Sequence, residues 1–225
     1  MGKVKYLSDI LSLFLNFTLY VISKIGYPLQ IMKRLQLPVI LGLLTCLITQ
    51  SAYADELAVW DKVAANNAKG YVLLLRHALA PGSGDPANFR LDDCSTQRNL
   101  SDEGRQDARD IGLWLKSKQV KIYRVESSRW CRAKETAELL GLASVKLNKN
   151  LDSLFKEANP AKHPQTALVK RQIVNHRKQE GLLVMVGHFV NIGAIVGAGV
   201  DSGEGILVRA NSKGEIKIVG KSPKP

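Results

Sequence analysis

The chain has 225 residues, 45% of them hydrophobic, and carries 32 Lys+Arg against 20 Asp+Glu for a formal net charge of +12. That length suits one domain with a full-sized core behind a targeting segment. Basic residues are interleaved with acidic ones, without zinc-finger spacing or an aromatic RNA-binding signature, which argues against nucleic acid and for a small anionic partner.

Around Met32 the order is Lys33-Arg34, the apolar run LPVILGLLTCLI, then Ala52-Tyr53-Ala54, the basic, apolar and small-residue sequence of a secretory signal. Residues 32–54 are therefore expected to be a signal peptide cleaved before Asp55, leaving a mature chain in the periplasm or outside the cell. The run is too short for an ordinary membrane span, so no stable membrane insertion of the mature domain is expected. Residues 1–31 hold a second apolar stretch, LSLFLNFTLYVI, and are either an extension upstream of a start at Met32 or a hydrophobic segment. Residues 55–225 keep 27 basic against 19 acidic residues, a balance of +8. Cys46 lacks the small residue that precedes a lipidated cysteine. Cys94 and Cys131 are an even pair in a chain bound for an oxidising compartment, and a disulfide and two separate buried thiols are both open.

The continuous apolar run Tyr71–Leu75 predicts a strand buried on both faces, ending at Arg76-His77. The aperiodic segment from Ala78 to Asn99 reads as a long functional loop covering a site. Ser101 caps a predicted helix over 102–117, with Asp102 and Glu103 in its first turn and Ala108, Ile111 and Leu115 as its apolar stripe. Lys121–Val125 alternates as a strand, and Ser127-Ser128 is expected to start a helix running to Gly141. A short strand near 144–148, an irregular stretch and a helix over Ala167–Lys178 follow. Leu182–Val186 is the second strongly apolar strand and ends at Gly187-His188; NIGAIVGAG then reads as a buried helix. Gly205–Ala210 and Glu215–Val219 form a hairpin about the Asn211–Gly214 turn, before a fraying polar tail. Strands alternating with helices predict a three-layer α/β/α sandwich with a mainly parallel central sheet.

Ligands of open α/β sheets bind beyond the carboxyl ends of the strands, and here both of the most apolar strands end in a histidine. Arg76 adjoins His77, and Arg132 stands in the helix after the Ser127-Ser128 turn, where its guanidinium fork suits a phosphoryl group. Such donors stabilise the charge that gathers on the transferring oxygens while a neutral imidazole attacks phosphorus.

Four segments resemble the histidine phosphatase superfamily, the phosphoglycerate mutase-like proteins. LLLRHALAPG is similar to its arginine-histidine signature, with Ala78 where glycine is commonest; RNLSDEGRQDARDIG to its leucine-serine, glycine-arginine helix; SSRWCRAKETAELLG to its Ser-Ser-x-x-x-Arg-Ala-x-x-Thr-Ala segment; and LLVMVGHFVNI to its second histidine segment. They run in order from about 71 to 195. The resemblance implies a phosphoglycerate mutase-like fold, a phosphorylated nucleophile at His77, and a phosphate pocket completed by Arg76, Arg132 and His188, with no cofactor. Many relatives take a general acid from a glutamate after the third strand. NLDSLFKEAN offers no such match, with Ser153 near the place and Asp152 and Glu157 close by, so the acid is unassigned. The chain has no His-Asp dipeptide and no room for the inserted domain of the larger acid phosphatases.

Arg90 and Arg98 in the loop, and Asn191 three residues beyond His188, are candidates for substrate contact, with plain solvation an equal reading for the two arginines. His163 and His176 are expected at the surface. Asp92-Asp93 lack companions at metal-ligand spacing, and no metal is expected. The function these features support is an exported phosphatase of small phosphorylated substrates. The alternatives are a protein phosphohistidine phosphatase and a non-catalytic binding protein for anionic ligands.

Overall fold

A computed structural model describes residues 58–222. The expected signal segment 32–54, its cleavage bond, residues 1–31 and the end of the tail lie outside the described residues. Among the described residues, six strands form one sheet: β1 (Tyr71–Arg76), β2 (Ile122–Ser127), β3 (Val145–Leu147), β4 (Leu182–Gly187), β5 (Gly205–Ala210) and β6 (Ile216–Lys221). Their order across the sheet is β3-β2-β4-β1-β5-β6. The first four run parallel, and the β5–β6 hairpin closes one edge antiparallel to β1. Five helices cover the sheet: α1 (58–65), α2 (Asp102–Ser117), α3 (Cys131–Leu139), α4 (Pro164–His176) and α5 (Phe189–Val196). None of the described helices is long and apolar enough to cross a membrane.

Side chains alternate between the faces of a strand, so an apolar run with no polar gap must have a hydrophobic layer on each side. β1 and β4 show this directly. Leu73, Leu75, Val184 and Val186 meet Trp60 of α1, Ile111 and Leu115 of α2 and Ala137 of α3. Val72, Leu74, Leu183 and Met185 meet Val169 and Ile173 of α4 and Ile192 of α5. The result is the three-layer, mainly parallel α/β/α sandwich that the sequence predicts.

The start of α2 is as expected, with Ser101 Oγ accepting from Gly104 N at 3.0 Å. Two other starts differ. β2 continues through Ser127, and Ser128 N donates to Val186 O (3.0 Å), so the serine pair belongs to the strand end and α3 begins only at Cys131. α4 begins ahead of Ala167, because the His163 ring accepts from Gln165 N (3.2 Å) and Pro164 takes the first helical position.

His163, expected at the surface, is thus a half-buried cap. His176 is a plainer correction, being 4% exposed, with Nε2 2.9 Å from Gly181 O and its ring 5.0 Å from that of Tyr123. It shares the buried face of α4 with Thr166, Val169 and Ile173, the 3–4 residue spacing of one helical stripe. Burial pushes its pKa below the ordinary histidine value.

The loop between β1 and α2 is tied down at its far end. Cys94 and Cys131 are joined by a disulfide, and Gln97 bridges from Arg90 O (2.9 Å) and Leu91 O (3.1 Å) to Cys131 N (3.0 Å). Closing a loop between residues 37 apart restricts the unfolded chain. Replacing both cysteines by serine is expected to cost about 2–4 kcal/mol in urea unfolding; an unchanged midpoint would show that the bond contributes nothing.

Backbones also meet closely where α2 crosses the end of α3. A Cβ on Gly112 would collide with the Leu140 carbonyl and lie 2.8 Å from Leu140 Cα. Alanine gains about 1 kcal/mol of helix propensity over glycine, yet overpacking against immovable backbone costs about 1–3 kcal/mol or more. Gly112→Ala is therefore expected to lower stability, and a rise in the urea midpoint would contradict the packing described.

Candidate active site

The parallel pairing of β1 with β4 sets Arg76 opposite Gly187, so the next residue of each strand, His77 and His188, emerges on the same edge. Their ring centroids are 5.5 Å apart. The backbone at this edge is fixed by His77 N donating to Gly187 O (3.0 Å) and Gly203 N donating to His77 O (3.2 Å). Ser128 follows the end of the neighbouring β2, and Arg132 occupies the first turn of α3.

His77 is 3% exposed. Its Nδ1 lies 2.8 Å from Ala78 O, and since a carbonyl oxygen only accepts, that nitrogen carries the proton and Nε2 keeps its lone pair. Arg132 Nε approaches this Nε2 at 3.2 Å. Ala78 is itself held by its N–H donating to Thr136 Oγ1 (3.0 Å), whose hydroxyl donates to Arg132 O (2.7 Å). Burial pushes the His77 pKa down, the Ala78 hydrogen bond raises it, and the charges of Arg132, Arg76 and Arg98 lower it further, to about 3. The imidazole is neutral at physiological pH.

His188 is buried, and burial, with smaller effects from His77 and the same three arginines, holds its pKa well below the ordinary value. Its Nε2 lies 2.9 Å from Ser128 Oγ. That hydroxyl is directed at Asp152 Oδ1 (3.4 Å) and accepts from Trp130 N (3.2 Å), which leaves its other lone pair for an Nε2–H of His188.

A cavity of about 330 Å³ opens over these groups. Arg76, Arg98 and Arg132 give it three positive charges, with Asp85 as the one carboxylate among its lining residues, and Phe155 and Phe189 stand at its wall. Arg132 donates to Asp85 Oδ1 at 2.6 Å, and Trp130 Nε1 donates to Asp85 Oδ2 at 2.9 Å. Arg98 is anchored by Gly84 O (2.8 Å) and Ala80 O. Arg76 donates to Val200 O (3.0 Å) and packs over the Phe189 ring, while its buried Nε has no acceptor among the described residues. Convergent guanidinium donors in a confined space suit a tetrahedral oxyanion such as a phosphoryl group.

Of the residues singled out from sequence, Arg76, His77, Arg98, Arg132 and His188 line this cavity. Arg90 does not: it is exposed and pairs with Asp92 at 3.5 Å. Asn191 is also corrected. It is buried beneath the site, where its amide accepts from Leu154 N (3.1 Å) and donates to Asp152 O (2.8 Å), so it braces the 152–154 segment. Asp152, in the segment where no acid could be assigned from sequence, has both oxygens engaged by Arg129 (2.9 Å from N, 2.8 Å from Nε). Glu157 is exposed and outside the cavity. Sequence reasoning missed Asp85, Thr136 and Ser128 as positioned groups. Thr136 and Ser128 stood within recognised motifs, whereas Asp85 lies in a loop whose Gly-Pro-Asp composition signals only irregular backbone.

No family model matches this chain, and no curated protein matches it significantly. Solved structures do. The protein histidine phosphatase SixA, solved with tungstate, is 19% identical, with a TM-score of 0.51 over 68% of this chain and 96% of that one. An open reading frame product of Mycobacterium tuberculosis is 16% identical, with a TM-score of 0.52 over 68% and 97%. Phosphoserine phosphatase of Entamoeba histolytica, solved with 3-phosphoglyceric acid, is 14% identical, with a TM-score of 0.51 over 68% and 97%. The described domain thus has the phosphoglycerate mutase-like fold of the histidine phosphatases, with its two strand-end histidines at the carboxyl edge of the sheet.

Proposed function

We propose that this protein is an exported phosphatase that hydrolyses small phosphomonoesters through a phosphohistidine on His77. The observation that carries the reading is a neutral imidazole whose unprotonated Nε2, accepting from Arg132 Nε (3.2 Å), lines a cavity shared by three arginines. The arginines hold the phosphoryl oxygens, Nε2 attacks phosphorus opposite the leaving oxygen, and water then cleaves the P–N bond. The His188 ring, also neutral, borders the same cavity and is held there by Ser128 Oγ (2.9 Å). Because guanidinium groups provide the charge that a divalent cation would otherwise supply, turnover is expected to survive chelation. Export is inferred from the segment 32–54, and a cysteine pair joined as Cys94–Cys131 fits an oxidising compartment. The SixA and phosphoserine phosphatase structures support phosphoryl hydrolysis as the chemistry that this fold accommodates.

A hydrolysis screen of the chain from Asp55 against sugar phosphates, nucleotides and a phosphohistidine peptide, with chelator throughout, tests the activity. His77→Ala is expected to lower kcat/KM more than about 100-fold and to abolish the acid-labile phosphoryl group trapped by rapid quenching. If the variant kept over about a tenth of wild-type kcat/KM, the loss would be under roughly 1.4 kcal/mol, too little for a nucleophile.

The pH dependence follows from the same site. A histidine with an ordinary pKa of about 6.5 would lose about thirtyfold of its neutral form between pH 7 and pH 5. His77, with its pKa lowered to about 3, stays neutral across that window. The rate of phosphorylation at saturating substrate is therefore expected to fall less than about threefold from pH 7 to pH 5. A thirtyfold fall, measured in single-turnover quench experiments, would show that the nucleophile titrates normally.

A further inference from the structure

A phosphomonoester leaves as an alcohol, so a proton must reach its bridging oxygen as the P–O bond breaks. His188 is a poor source, because burial and its cationic neighbours keep the ring unprotonated. Asp152 is held by Arg129 behind Ser128, and Glu157 is outside the cavity. Among the lining residues only Asp85 carries a carboxyl group.

Its placement is specific. Asp85 sits on the β1–α2 loop with its side chain 13% exposed, fixed through Oδ2 by Trp130 Nε1 (2.9 Å) and through Oδ1 by Arg132 (2.6 Å). The same guanidinium donates its Nε to His77 Nε2 (3.2 Å). Carboxylate and nucleophile therefore engage the same planar guanidinium, both at the cavity that Arg132 lines.

Resting on the phosphatase reading above, we infer that Asp85 protonates the leaving oxygen in the first half-reaction and takes a proton from water in the second. Burial raises the Asp85 pKa, but hydrogen bonds from Arg132 and Trp130 and the charges of Arg132 and Arg98 outweigh it and keep the carboxyl below its ordinary value. An arriving phosphate competes for Arg132 and adds negative charge beside Asp85, and both effects raise its proton affinity. A phosphomonoester has its second ionisation near about 6, so the monoanion brings the proton that Asp85 takes up.

The steps balance. The His77 Nε2 lone pair forms the N–P bond, the P–O bond breaks, and the Asp85 proton goes to the leaving oxygen, giving alcohol, phosphohistidine and carboxylate. Water then attacks phosphorus as Asp85 takes its proton. The P–N electron pair returns to Nε2, leaving phosphate and a protonated Asp85.

A leaving group that is already stable as an anion needs no acid. The test compares an alkyl phosphate, glycerol phosphate, with p-nitrophenyl phosphate in the wild type and in Asp85→Asn, which keeps the size and an acceptor for Arg132. The variant is expected to lose at least about 100-fold in kcat/KM on glycerol phosphate and less than about tenfold on p-nitrophenyl phosphate. With the latter it should accumulate phosphohistidine, since the base for the second step is missing. Equal losses on both substrates would overturn the inference and leave Asp85 as a residue that merely positions Arg132, and no loss would overturn it outright.

A measurement on the wild type guards against a variant that fails to fold. With a working acid, kcat/KM should vary less than about tenfold across phosphates of increasingly basic leaving alcohols. A steep fall would exclude Asp85 as the acid. The phosphatase reading fails separately: if no phosphoryl group is trapped on wild-type His77 with any substrate, that reading is lost and this inference with it.

Discussion

A carbonyl oxygen can only accept a hydrogen bond, and the 2.8 Å contact between Ala78 O and His77 Nδ1 therefore decides which ring nitrogen is bare. Everything proposed for this site depends on that choice of tautomer. The adjoining peptide is held as well, since the N–H of Ala78 donates to Thr136 Oγ1 (3.0 Å). Thr136 stands one helical turn beyond Arg132 and donates back to its carbonyl, so one hydroxyl fixes the ring orientation of His77 and the turn that presents Arg132. The alanine side chain at position 78 leaves this unaffected: the interaction uses backbone atoms, and Ala78 packs with Ala80, Leu100 and Ala108 in a small apolar cluster.

The burial that makes the imidazole neutral also raises the cost of gathering three arginines. Arg76, Arg98 and Arg132 share one cavity, and like charges in a partly desolvated space repel. Asp85 offsets one charge, and the fold meets many of the donors with backbone carbonyls: Val200 O for Arg76, Ala80 O and Gly84 O for Arg98. A net positive charge is left over, which favours an anion such as a phosphate monoester. A neutral ligand would leave that excess uncompensated, so the electrostatics select for anions before any shape is considered.

Much of this was legible in the sequence, for physical reasons that can be named. Uninterrupted apolar runs at 71–75 and 182–186 predict central strands because only a doubly covered strand tolerates them, and their ends then locate His77 and His188. Ser101 marks the start of α2 correctly because a side-chain cap is a local interaction. The Ser127-Ser128 pair misleads for the complementary reason: Ser128 is recruited into strand pairing by Val186, a residue 58 positions away that no local window contains. Arg90 and Asn191 fail similarly, since composition places a residue in a loop or a helix without giving the direction of its side chain. His176 was readable, as its spacing from Val169 and Ile173 continues a buried stripe.

Asp85 is the hardest case, and its position explains why. Nothing in the segment from Gly82 to Pro86 has a period, and an aspartate before proline ordinarily signals only a turn. Its placement depends on three distant restraints acting together. Arg132 and Trp130 hold its carboxylate, the Cys94–Cys131 bond and Gln97 hold the start of α3 to the same loop, and Phe89 stacks on Trp130 at 5.2 Å between ring centroids. Ordering a long loop costs conformational entropy that must be met either in folding or at each binding event. With those restraints supplied by the protein's own residues, most of that cost falls on folding. The loop can then be irregular by composition and still present one carboxylate to one guanidinium.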